Sequence, residues 1–138
     1  MGRTAAVLVA RLIFAAVFAM AAGFKFAAMA DTAAQIAAQG FPFSVPLAWL
    51  AAIFETALVL AFLTGAFFSE AALLAGVYVI FLAFAFHGPD KWAAWYEFGF
   101  FVDHFSFLAG LLLAAAHGPG ERFALRYSLI RKDRAAPA

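Results

Sequence analysis

Residues 46–67 read PLAWLAAIFETALVLAFLTGAF, an apolar run interrupted by one carboxylate, Glu55. An α-helix rises ~1.5 Å per residue, so a run of this length matches the ~30 Å hydrocarbon core of a bilayer. An ionised carboxylate at that depth costs roughly 2.5–3.5 kcal/mol on insertion scales, so Glu55 is expected to face protein, water or a ligand rather than lipid. Its helical face reads Ala48, Ala51, Ala52, Glu55, Val59, Phe62. The alanines leave room for close helix neighbours, and the other helices are expected to pack around this face.

Outward from this run lie three more of spanning length. The pattern predicts an all-α membrane protein, a four-transmembrane-helix bundle with spans at about 5–26, 46–67, 70–87 and 93–116 in one domain covering 1–138. Composition agrees: 67% of the 138 residues are hydrophobic and 12% charged, about half the charge of an ordinary soluble domain. There is no cysteine, which excludes disulfide exchange, iron–sulfur ligation and thiolate nucleophiles within this chain. The start, MGRTAAVLVARLIFAAVFAMAAGFKFAAMA, has the look of a secretory leader ending at Ala28-Met29-Ala30. Arg11 interrupts its apolar stretch, however, so the segment is expected to remain as the first span.

Charge orients the bundle. Arg3 at one end and Arg122, Arg126, Arg131, Lys132 and Arg134 in the tail 118–138 outnumber Glu121 and Asp133. The positive-inside rule then places both termini in the cytoplasm, with the basic tail lying along the anionic leaflet. So small a basic segment gives no reason to expect a nucleic-acid partner. On the other side, Asp31–Gln39 reads as a short interfacial segment, with Asp31 or Thr32 as N-cap and Gly40 as its end. Phe41-Pro42-Phe43-Ser44-Val45-Pro46 turns the chain back and suits a lid at the interface. Trp92, Trp95 and Tyr96 form an aromatic belt before the last span.

Arg11, Ala15, Phe18, Ala22 and Lys25 recur on one face of the first helix. Either cation can snorkel to its nearer interface or serve inside the bundle. With the termini inside, Lys25, Glu55, His87, Asp103 and His104 fall in the outer half of the bundle, and Arg11 and His117 nearer the cytoplasm. Several ionisable groups at one depth point to a ligand site or pathway; a buried network that only fixes helix register is the plainer alternative. Counting rise from the helix ends puts His87 and His104 roughly 10 Å apart in depth, too far to share a haem iron. His104, Asp103 and Glu55 are metal-ligand types without a diagnostic spacing, so no metal site is expected.

Short motifs add a resemblance. Arg11-Leu12-Ile13-Phe14, Ala22-Gly23-Phe24-Lys25, Gly40-Phe41-Pro42, Ile53-Phe54-Glu55 and Gly118-Pro119-Gly120 together resemble the DoxX family of small four-helix membrane proteins, over most of the chain up to Leu125. The resemblance implies a bacterial inner-membrane protein tied to redox metabolism. Relatives include subunits of a thiosulfate:quinone oxidoreductase and a partner in a membrane oxidoreductase complex that responds to oxidative stress. Arg11, Lys25 and Glu55 stand at positions typical of the family. Asp103-His104 departs from an expected Lys-Asn-like pair, and Ala124-Leu125-Arg126 from Ser-Leu-Asp; the first changes the charge of the candidate site.

Three functions follow as expectations. In the first, the chain is a subunit of a redox complex that holds a quinone, a partner protein supplying electrons. Lys25, Glu55, His104 and Arg11 would bind the cofactor, and Glu55, Asp103 and His104 would exchange protons. Phe14, Phe18, Phe62, Phe100 and Phe107 would wall the site. In the second it is a non-enzymatic anchor or scaffold, and in the third a small proton-linked transporter. Membrane lipid is a partner in all three, and homo-oligomers are compatible with each.

Overall fold

The computed structural model describes residues 2–121, 123–125 and 127–130, with side chains from Thr4 onward. The chain is helical throughout its ordered elements: α1 Gly2–Ala27, α2 Met29–Ala38, α3 Ser44–Thr64, α4 Phe68–His87 and α5 Trp95–His117, with a 3₁₀ turn at Pro89–Lys91. Four of these, all but α2, are long and apolar enough to cross a membrane.

The glycines mark the ends as expected, but the caps do not. Gly40 and Gly65 take left-handed backbone (φ +81° and +77°), which closes α2 and α3. The predicted N-cap of the interfacial helix is not used. That helix starts earlier, at Met29, and Thr32 Oγ1 donates to the Ala28 carbonyl at 3.1 Å instead of capping it. The reason is continuity: α1 runs to Ala27 and the Ala28 N–H still bonds to Phe24 O at 3.0 Å, so α2 begins with scarcely a break.

Packing follows the alanines. The α1 helix lies along α3, α4 along α5, and α2 leans on α3. On α3 the buried residues are Ala48, Ala52, Glu55, Leu58 and Phe62, the predicted face rotated slightly toward Leu58. Ala71, Ala72, Ala75 and Gly76 on α4 are buried with them. Phe14 and Phe18 of α1 stack against Phe62 (ring centres 5.3 and 5.8 Å) and Phe107 of α5 (5.5 and 5.7 Å). Three of the phenylalanines expected to wall a ligand thus fill the core instead, and Phe107 completes their cluster. One expectation is revised: the helices do not all gather around α3. It touches α1, α2 and α4, whereas α5 lies along α4 and meets α1 through side chains of the core that include Phe107 and Gly110.

The tail is not a free extension from Gly120. The Leu125 N–H donates to Thr64 O (2.8 Å), the Phe67 N–H to Tyr127 O (2.7 Å), and Glu70 Oε1 accepts from Ser128 Oγ (2.7 Å) and from the N–H groups of Leu129 and Ile130. The described residues 118–121, 123–125 and 127–130 thus form a strap across the α3–α4 turn; Arg122, Arg126, Arg131, Lys132 and Arg134 of the expected basic tail lie outside the described residues. Gly65 is where strap and turn touch. A Cβ there would sit 2.7 Å from Ala124 Cβ and 3.2 Å from Pro119 Cβ, on left-handed backbone. Gly65→Ala is therefore expected to destabilise the fold by about 2 kcal/mol or more. A shift in the unfolding midpoint checks it, and an unchanged midpoint would show that the strap gives way freely.

Candidate functional site

At the end of the bundle opposite the strap, three side chains from three helices converge. Glu55 of α3 is 1% exposed. Its Oε1 accepts from Lys25 Nζ of α1 and from Tyr78 Oη of α4, each at 2.8 Å. The helices bring them together because Ala48, Ala52 and Ala22 are small and buried, which draws α1 and α3 close enough for a lysine stem to reach across. The second oxygen, Glu55 Oε2, is buried with no hydrogen-bond donor in reach among the described residues. A carboxylate with one oxygen doubly satisfied and the other bare has an open place for a proton or for a donor group brought by a ligand.

Lys25 and Tyr78 also line a cavity of about 710 Å³, within the range of small-molecule sites. Its floor and sides come from Phe54, Phe81 and Phe86 of the spans, and from Gln35, Ile36 and Phe41 of the interfacial segment. The segment expected to form a lid is thus part of the wall. His87 and His104 lie on the same wall.

The two histidines are closer than the sequence suggested. Their ring centres are 5.3 Å apart, so the depth difference used against a shared iron is not found. Seven residues separate the end of α4 at His87 from the start of α5 at Trp95, so the two helices do not start level and a count from level ends misplaces His104. Each ring has one nitrogen committed. His87 Nδ1 is 2.6 Å from Glu97 Oε2, and His104 Nδ1 is 2.6 Å from the Phe100 carbonyl. Carrying the proton on Nδ1 leaves Nε2 of each ring as an acceptor. Among the described residues no group of three or more metal-ligating side chains is placed to hold an ion.

The remaining candidates lie elsewhere. Arg11, 2% exposed, is about 21 Å along α1 from Lys25 at ~1.5 Å per residue. It donates to the carbonyls of Phe62 (3.0 Å), Leu63 (2.7 Å) and Pro119 (3.3 Å), tying the end of α3 to the strap. Its geometry serves the fold and does not reach the cavity. Asp103 is exposed beside a smaller groove of about 400 Å³ that it shares with His87, Phe100, His104 and Phe107. Tyr78 and Glu97 were not singled out from sequence. A phenol in the middle of an apolar span was the available signal for Tyr78, because a buried hydroxyl needs a partner.

Four apolar spans, three of which bring Lys25 and Tyr78 onto the buried Glu55 beside a cavity, make this a multi-pass helical membrane protein with a polar centre inside the bundle. The sequence model of the DoxX family matches residues 6–88, more than half of the chain, and the protein belongs to that family. The match takes in Lys25, Glu55, Tyr78 and His87 and stops before α5. No curated protein and no solved structure matches the chain.

Proposed function

We propose that this protein is a quinone-binding subunit of a redox complex in the bacterial inner membrane, with both termini cytoplasmic. The observation that carries this reading is the cavity of about 710 Å³ whose wall holds Lys25 and Tyr78, both bonded to the buried Glu55. An aromatic head group of quinone size fits that volume, and apolar side chains dominate the wall. Lys25 supports negative charge on a carbonyl oxygen. Glu55 lies behind Lys25 and Tyr78 on the wall and supplies or takes one proton through them as the ring passes between quinone and quinol, a change of two electrons and two protons. Tyr78 fixes the carboxylate so that its bare oxygen is the one that exchanges. Nε2 of His87 or His104 accepts from the second hydroxyl of the quinol. With no cysteine the chain offers neither a dithiol nor an iron–sulfur ligand set, and in this reading the electrons come from a partner protein.

The test is made on gently purified protein: mass spectrometry of its solvent extract, then titration with a short-chain ubiquinone followed by tryptophan fluorescence. The expected result is a stoichiometric quinone in the extract and a Kd about tenfold weaker in Glu55→Gln, equivalent to ~1.4 kcal/mol. An extract holding only bulk lipid, with equal titrations for both proteins, would refute the proposal. The scaffold reading would then lead, and one feature of α5 favours it independently.

A further inference from the structure

We infer that the upper half of α5 is the docking face for a transmembrane helix of another protein, one that carries a lysine or arginine at mid-span opposite Asp103. Asp103 is the ninth residue of α5, about 12 Å along the axis from Trp95 at ~1.5 Å per residue, and so lies well inside the apolar span. It is exposed, and it has no hydrogen bond or ion pair with any described residue. A carboxylate there must be met by water, a proton or a cation, since lipid chains offer nothing.

The fold leaves room for a helix at that place. Only 6% of the apolar window of α5 is buried, against 28%, 28% and 39% for the other spans. Its lower half is engaged, with Gly110 against Phe14 and Gly76 of α4 against Leu108. Higher up, a groove opens beside α5, lined by Phe100, Asp103, His104 and Phe107 of α5 and by His87 of α4. Gly99, one turn from Asp103 on the same face, has nothing within 4 Å of where a Cβ would be. Ser106, on the next turn, is exposed as well. A small residue, an acid and a hydroxyl in succession let a helix backbone come close and be hydrogen-bonded, which is how membrane helices associate.

Charge decides which helix. Among the described residues a second copy of this chain has no free lysine or arginine to offer at that depth: Lys25 is held by Glu55, and Arg11 by three carbonyls at the far end. Two copies would bring Asp103 against Asp103. A partner with a mid-span cation neutralises the carboxylate, and the inference does not depend on what occupies the cavity.

The absence of cysteine allows a single donor dye through Leu74→Cys, an exposed position on α4. The probes are two acceptor-labelled leucine–alanine transmembrane peptides, one with a central lysine and one without, in phosphatidylcholine vesicles. Energy transfer is expected several-fold higher for the lysine peptide. It should fall to the level of the plain peptide in Asp103→Leu and in Gly99→Leu. An Asp103→Lys protein should instead select a peptide with a central aspartate, a reversal that a misfolded variant could not produce. Equal transfer from both peptides, or transfer indifferent to Asp103→Leu, would overturn the inference. So would transfer between copies of the protein alone that Asp103→Leu abolishes, since the occupant would then be a second copy.

Discussion

Replacing Lys25 with methionine is expected to lower the unfolding free energy by about 3–5 kcal/mol, and adding Glu55→Gln to the same chain to restore most of that loss. The asymmetry comes from burial. Glu55 is almost wholly enclosed, while the Lys25 side chain keeps a fifth of its surface open. Removing the cation leaves a carboxylate that neither water nor another charge reaches, with only the Tyr78 hydroxyl on Oε1. It must then be protonated or pull the helices apart. Neutralising both partners removes the cause, and a glutamine oxygen still accepts from Tyr78. Unfolding by sodium dodecyl sulfate from mixed micelles, read by tryptophan fluorescence, gives the cycle. A coupling of about 2 kcal/mol or more between the two positions is the expected outcome. Additive losses would mean that the contact between Lys25 and Glu55 contributes little to stability.

How far this pair was legible from sequence is instructive. Glu55 announced itself, because one carboxylate in a run of apolar residues has few places to go. That Lys25 would reach it did not follow from spacing: its position on α1 was equally consistent with snorkelling to the interface. The choice depends on how closely α1 and α3 approach, and that closeness is set by Ala22, Ala48 and Ala52 on facing helices. Tyr78 escaped notice because a tyrosine among phenylalanines alters hydropathy little, though its hydroxyl cannot be left unpaired in a core.

The spans themselves were readable because length and hydropathy suffice to define them, and the ends fell within a few residues. What the sequence could not carry was the relative height of the helices. Counting from the end of each span assumes that neighbours start level, yet the 3₁₀ turn and the residues to Ala94 shift the start of α5. This single offset moved His104 beside His87 and brought Glu97 to the histidine. The same limit applies to α5 as a whole. Gly99, Asp103, Phe107 and Gly110 share one face of α5, and its lower part packs while its upper part is left open, because α5 follows α4 rather than closing on α1.

Arg11 was the residue most readily misassigned, and it supports the second large effect. Arg11→Met is expected to destabilise the protein by about 3–5 kcal/mol and to loosen the strap before the rest unfolds. A buried guanidinium that donates to three carbonyls replaces three hydrogen bonds to a charged group, each worth about 1.5–3 kcal/mol in isolation but sharing one desolvation cost. The carbonyls of Phe62 and Leu63 belong to the last turn of α3, where intrahelical donors run out. Pro119 opens the strap, so one side chain both finishes a helix and fixes the segment crossing it. Methionine fills the volume and leaves those oxygens without donors. Hydrogen exchange separates the consequences: the amides of Leu125 and Phe67, which bond strap to turn, should exchange at least tenfold faster, while those in the middle of α3 change less. Arg11→Lys should recover less than half of the loss, since an ammonium on a shorter stem cannot span donors to α3 and Pro119 together. Full recovery by lysine would show that a positive charge at this end of the bundle, rather than the fork of the guanidinium, is what the position requires.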